Sequence, residues 1–124
     1  MSGHGRPDPR RSLGQRGETL VAQWYERRGY TVLDRNWRCR DGEIDLVLAV
    51  GRVLVFCEVK TRTSTAFGTP AEAVTLRKQA RLRRLASRWL DTHPGRARSL
   101  RFDVASVIAQ RGGPAIVEVL EAAF

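Results

Sequence analysis

Hydrophobic and polar positions along this 124-residue chain change period several times, and each change marks an element. From Ser12 the apolar residues Leu13, Leu20, Val21 and Trp24 recur at helical spacing, with Gln15 three residues after Ser12 to complete a cap and Gly29 to stop the helix. Tyr30 to Arg38 reads as a strand, Arg40-Asp41-Gly42 as a tight turn, and Glu43 to Val50 as a second strand. Gly51-Arg52 turns the chain into a third strand, Val53 to Arg62. Short loops make these three an antiparallel meander. Thr69-Pro70-Ala71-Glu72 has the pattern of a helix start with proline in the first turn. The helix it opens runs to about Asp91, with a break near Val74-Thr75, and buries Leu82, Leu85, Ala86, Trp89 and Leu90. A fourth strand, Ser99 to Ala109, follows by a helical crossover and is therefore parallel to the third, and Ala115 to Leu120 supplies a fifth at the edge. The expectation is an α/β fold with a mixed five-stranded sheet, in the order helix, three strands, helix, two strands.

Length supports one domain, residues 12–124, preceded by a polar, basic and Pro/Gly-rich tail, residues 1–11, expected to be disordered. No apolar run reaches the roughly 18 residues of a membrane span and no signal core opens the chain, so a cytoplasmic protein without a membrane partner is expected. A formal net charge of +9 points to an acidic partner, with nucleic acid first. Arg77, Arg81, Arg84 and Arg88 form a stripe on the second helix with no acid between Arg77 and Trp89, suited to phosphates, although such stripes are often only a solvated face. Cys39 and Cys57 lack metal-site spacing, and Cys57 reads as a small core residue.

The most telling chemistry lies in the meander. Strict alternation puts Glu43 and Asp45 on one face of the second strand and Ile44, Leu46, Leu48 and Val50 on the other. Glu58 and Lys60 share a face of the third strand, which is apolar on both sides up to Glu58. Charges at alternate strand positions usually mark a wet face. A carboxylate on a strand covered on both sides must instead find a cation or hydrogen bonds. Two carboxylates on neighbouring strands can hold a divalent metal, and with the backbone carbonyl of Val59 they suit the oxygen-rich, partly hydrated shell of Mg²⁺ or Mn²⁺. Glu18, at the border of the first helix's apolar face, either faces solvent or leans toward the sheet. Lys60 and Lys78 are the only lysines among 22 basic residues, and Lys78 lies on the helical line of Leu82 and Leu85, so it either snorkels or reaches the same site. Arg101 and Asp103 read as a structural ion pair.

Arg16-Gly-Glu18, Gly42-Glu-Ile-Asp-Leu-Val47, Val55-Phe-Cys-Glu-Val-Lys60, Lys78-Gln79 and Arg101-Phe-Asp-Val104 resemble the landmarks of the YraN family of small bacterial proteins. The element order and acid placement resemble more broadly the PD-(D/E)XK nuclease superfamily. The resemblance implies a restriction-endonuclease-like three-layer core, Asp45 and Glu58 as metal-binding acids, Lys60 as the catalytic lysine and Glu18 as an additional metal ligand. It adds Glu43, Lys78 and Gln79 as accessory positions, and leaves a homodimer open. The superfamily's proline is absent, Ile44 preceding Asp45. A metal-dependent endonuclease acting on DNA rather than RNA, and on branched or damaged structures, is the implied function. The alternative is a module that binds nucleic acid without cleaving it.

Overall fold

The computed structural model describes residues 9–63, 74–95, 99–110 and 112–124, with side chains from Ser12 onward. Seven elements follow in order: α1 (Pro9–Glu26), β1 (Thr31–Cys39), β2 (Gly42–Val50), β3 (Val53–Arg62), α2 (Leu76–Asp91), β4 (Ser99–Ile108) and β5 (Ile116–Leu120). The strands form one sheet in the order β1-β2-β3-β4-β5. Only the β3–β4 pair is parallel, as the helical crossover between them requires. The expected α/β class, strand number and strand order are all observed.

Each helix covers one face of the sheet, giving three layers with two apolar interfaces. Val21, Ala22 and Tyr25 of α1 pack with Leu46, Leu48, Val55, Cys57, Ala105 and Val107. On the opposite face Leu82, Leu85, Ala86 and Trp89 of α2 pack with Ile44, Val47, Leu54 and Phe56. The α2 residues are the stripe expected from the sequence, and Cys57 is fully buried as expected of a core residue.

The starts of both helices differ from expectation, and several strand ends differ by one residue. Helix α1 starts at Pro9 rather than Ser12, so residues 9–11 belong to the helix and not to a disordered tail. Proline is tolerated there because first-turn N–H groups have no partner within the helix. The rest of the expected tail lies outside the described residues. Helix α1 ends at Glu26, and Gly29, at φ +87°, lets the Tyr30 N–H return to the Tyr25 carbonyl (3.1 Å). The capping sequence Thr69 to Glu72 also lies outside the described residues. Helix α2 begins at Leu76, beside the expected break, where the Thr75 hydroxyl accepts the Lys78 N–H (3.2 Å).

A buried polar clamp ties the C-terminal segment to the α1 side of the sheet. Asp103, with no exposed surface, accepts hydrogen bonds from Tyr25 Oη (2.6 Å), from Arg101 Nε and Nη2 (2.9 Å each) and from the Ala122 N–H (3.0 Å). The Arg101–Asp103 ion pair is therefore structural, as expected.

Candidate metal centre

The β2–β3 ladder stops at the pair Leu46–Cys57, and there the chain departs from simple alternation. Past that pair the Val59 N–H donates to Asp45 Oδ2 (2.8 Å). The side chain of Asp45 takes a bond that would otherwise go to β2 backbone.

Alternation along β2 breaks at the same point. Leu46 and Leu48 pack under α1, whereas Ile44 packs with Val47 under α2. The expectation that Ile44 shares a face with Leu46 is therefore wrong. Strict alternation presumes an unbroken extended strand, and the neighbouring strand is not extended at Asn36. The β1–β2 register runs through Arg35↔Leu46 and Trp37↔Ile44, which places Asn36 opposite Asp45. Asn36 has φ +53°, in the left-handed region. Arg35 then bonds α1 through Thr19 Oγ1 (3.0 Å), while Trp37, two residues on, packs toward α2.

This break puts Glu43 and Asp45 where both layers can reach them. On the α1 side they line a depression with Gly14, Gln15, Glu18, Asn36 and Arg38. On the α2 side they line another, of about 230 Å³, with Glu58, Lys78, Arg81, Leu82 and Leu85. Carboxylate oxygens of Glu18, Glu43 and Asp45 lie within 4.8 Å of one another. Glu18 is only 9 % exposed, and its Oε1 has no hydrogen-bond partner. It leans toward the sheet rather than into solvent.

Electrostatics follow from this crowding. Burial pushes the Asp45 carboxyl up to about 7; the Val59 N–H opposes the rise, and Glu18, Glu58 and Glu43 add to it by repulsion. Burial also raises Glu18, countered by a hydrogen bond from the Asn36 side chain, raised further by Glu43, and lowered by Arg35 and by a hydrogen bond with Asp45. Arg38 Nε sits 3.4 Å from Glu43 Oε2 in an exposed ion pair. A buried carboxylate oxygen without a donor, beside two more carboxylates, is a site a hard cation satisfies.

The remaining candidates divide clearly. Glu58 lines the α2-side depression with Asp45, outside the close triad, and Glu43, expected only as accessory, is inside it. Lys78 and Arg81 face the carboxylates across that depression. Lys60 is exposed and belongs to neither wall, while the Gln79 side-chain amide donates to the Val74 carbonyl (3.4 Å) at the start of α2. Arg77, Arg81, Arg84 and Arg88 are exposed, but Arg88 Nε pairs with Asp41 Oδ2 at 3.0 Å. The acid absent from the helix is supplied to Arg88 by the β1–β2 turn. Asn36 was not among the candidates from sequence; its one signal was an asparagine, a poor strand former tolerant of left-handed φ, inside a strand.

Residues 17–107 match the profile of the uncharacterised protein family UPF0102. A UPF0102 protein of Beutenbergia cavernae is 55 % identical over 109 residues, covering 88 % of this chain and 92 % of the relative. The chain belongs to the UPF0102 family. A second UPF0102 protein, from Frankia alni, is 55 % identical over 113 residues, 91 % of this chain and 94 % of its own. One from Nocardia farcinica is 44 % identical over 115 residues, 93 % and 91 % of the two chains. The YraN-type resemblance drawn from the motifs is thereby upheld. The matched span of this UPF0102 member includes Glu18, Asn36, Glu43, Asp45, Glu58, Lys60, Lys78 and the α2 arginines. Among its described residues no helix is long and apolar enough to cross a membrane.

Proposed function

We propose that this UPF0102 protein is a divalent-metal-dependent nuclease that hydrolyses phosphodiester bonds in nucleic acid, with DNA, including branched or damaged forms, ahead of RNA. The observation that carries the reading is the buried Glu18 carboxylate, whose Oε1 lacks a partner beside Glu43 and Asp45. In a chain of net charge +9, three acids gathered against their mutual repulsion make sense around a cation.

Glu18, Glu43 and Asp45 would hold Mg²⁺ or Mn²⁺, with the Val59 carbonyl available as a further oxygen donor. Such an ion supplies activation of water and neutralisation of charge building on the phosphoryl oxygens. The Val59 N–H fixes the Asp45 carboxylate in place. Lys78 and Arg81, on the opposite wall, receive the phosphate, Arg81 presenting two donors in a planar fork. Glu58 accepts a proton from the attacking water as the new P–O bond forms and the bond to the leaving oxygen breaks, solvent returning a proton to that oxygen. Lys60, exposed at the end of β3, meets the bound strand from the solvent side. A homodimer fits this reading without being required by it.

The decisive assay incubates the protein with Mg²⁺ or Mn²⁺ and single-stranded, duplex and branched DNA and RNA, with Glu18→Gln as control. Metal-dependent cleavage lost in the control is the expected result. Tight binding without cleavage in any combination overturns it in favour of the non-catalytic binding module, the reading that the exposed arginines of α2 would support without the acids.

Salt dependence tests the docking face separately from catalysis. Arg77→Gln, Arg81→Gln and Arg84→Gln should each lower the magnitude of the log-log slope of duplex affinity against salt by roughly 0.9. Arg88→Gln should change it little, because Asp41 already neutralises that guanidinium. Unchanged slopes for all four would turn this helix away from the nucleic acid.

A further inference from the structure

Asn36 sits where both strands of the β1–β2 pair lose their alternation. Two residues apart on one strand, Arg35 and Trp37 should share a face, yet Arg35 bonds Thr19 on α1 and Trp37 packs against the α2 core. Opposite them, Leu46 and Ile44 divide in the same way between the α1 and α2 cores. The residues between these two register pairs are Asn36 and Asp45. Asn36, at φ +53°, lies at the point of both crossings. Its side chain lines the α1-side depression with Glu18, Glu43 and Asp45.

We propose that Asn36 is a positioning residue of the metal centre: its left-handed backbone turns Glu43 and Asp45 out of the sheet's alternation, and its side-chain amide orients the Glu18 carboxylate toward them. The inference rests on the metal-site reading above and adds a residue that supports the ligands without being one. Both halves of the role suit asparagine. Among residues with a side chain it is one of the few that enter the left-handed region readily. Its side chain lines the same depression as the Glu18 carboxylate, and an N–H donor there favours the charged form against the cost of burial. Aspartate tolerates the same backbone and has nearly the same shape, but when ionised it has no N–H to give. Glycine keeps the backbone and removes the amide altogether.

Both substitutions therefore keep the backbone and test the side-chain amide. The experiment is calorimetric titration of the metal-free, full-length protein with Mn²⁺, alongside thermal melts of the same samples. Asn36→Gly should melt within a few degrees of the parent and bind Mn²⁺ about tenfold more weakly, the usual cost of losing a group that orients a metal ligand. Asn36→Asp should also bind more weakly, since it repels Glu18 instead of holding it. Parent-like affinity in Asn36→Gly would reduce Asn36 to a turn residue and overturn the proposal. Tighter binding by Asn36→Asp would make position 36 a ligand, which also overturns it. A parent that binds no Mn²⁺ defeats the metal-site reading and this inference together, an outcome distinct from a parent that binds and variants that match it.

Discussion

Asp45→Asn is expected to abolish metal-dependent cleavage and, in the metal-free protein, to raise stability at pH 8 while removing most of its pH dependence between about pH 4 and 7. The sign follows from the direction in which folding moves this carboxyl, from the usual 3.8 up to about 7. Below pH 4 it is protonated in folded and unfolded chains alike, and contributes nothing. Between about pH 4 and 7 the unfolded chain releases the proton while the folded chain keeps it, so the metal-free fold loses stability as pH rises. Above pH 7 both states are ionised and the loss is complete, at about 4 kcal/mol at most for 1.36 kcal/mol per pH unit. Asparagine cannot ionise, and its carbonyl oxygen can still accept the Val59 N–H. Mn²⁺ should have the opposite effect on the parent, stabilising it at pH 8 in proportion to ligand excess and less at pH 6, where protons compete. Urea denaturation of both proteins at pH 5 and pH 8, with and without Mn²⁺, measures all of this. A parent more stable at pH 8 than at pH 5 without metal would contradict the crowding of Glu18, Glu43 and Asp45 on which the site depends.

Asp103→Ala should destabilise the protein by about 3 to 5 kcal/mol without a direct effect on metal affinity, since removing one partner of a buried pair leaves the others unmatched. Four hydrogen bonds converge on this carboxylate, from Tyr25, from Arg101 twice and from the Ala122 N–H. Tyr25 is itself fully buried, so its hydroxyl would be left without an acceptor. The C-terminal segment would also loosen. Its other ties include the Ala123 N–H to the Phe102 carbonyl (2.7 Å), Glu121 beside Arg101 (3.8 Å) and Phe124 stacked on Phe102 at 5.2 Å. Denaturation midpoints with Mn²⁺ titration of the folded variant give the two readouts. A loss below 1 kcal/mol would mean that solvent can replace these bonds.

Much of this protein could be read directly from its residues. Period-two runs bounded by Asp41-Gly42 and Gly51-Arg52 specify the meander, because those turns leave no room for anything but antiparallel strands. The stripe Leu82, Leu85, Ala86 and Trp89 specifies the buried face of α2, because a helix must cover its apolar side. Asp45 and Glu58 could be selected as chemically significant because carboxylates on strands covered on both sides demand a partner.

What was not legible depended on positions far apart in sequence. Glu18 reads as a border residue on α1, and only the packing of that helix over β2 buries it against Glu43 and Asp45. Arg88 reads as an unneutralised cation until the β1–β2 turn brings Asp41 to it. Lys60 reads as sharing the face of Glu58 and Lys78 as either snorkelling or reaching the site, and only the helix's approach to the sheet puts Lys78 on the wall of the depression while Lys60 stays exposed. The destination of Ile44 was misread because alternation is a property of extended backbone, and it fails where Asp45 lies opposite Asn36, which is not extended. Local pattern therefore determined which elements form and which faces are apolar, since those depend on neighbours along the chain. Which carboxylates meet, and which cations face them, was decided only by tertiary packing, since electrostatic partnership depends on distance through space.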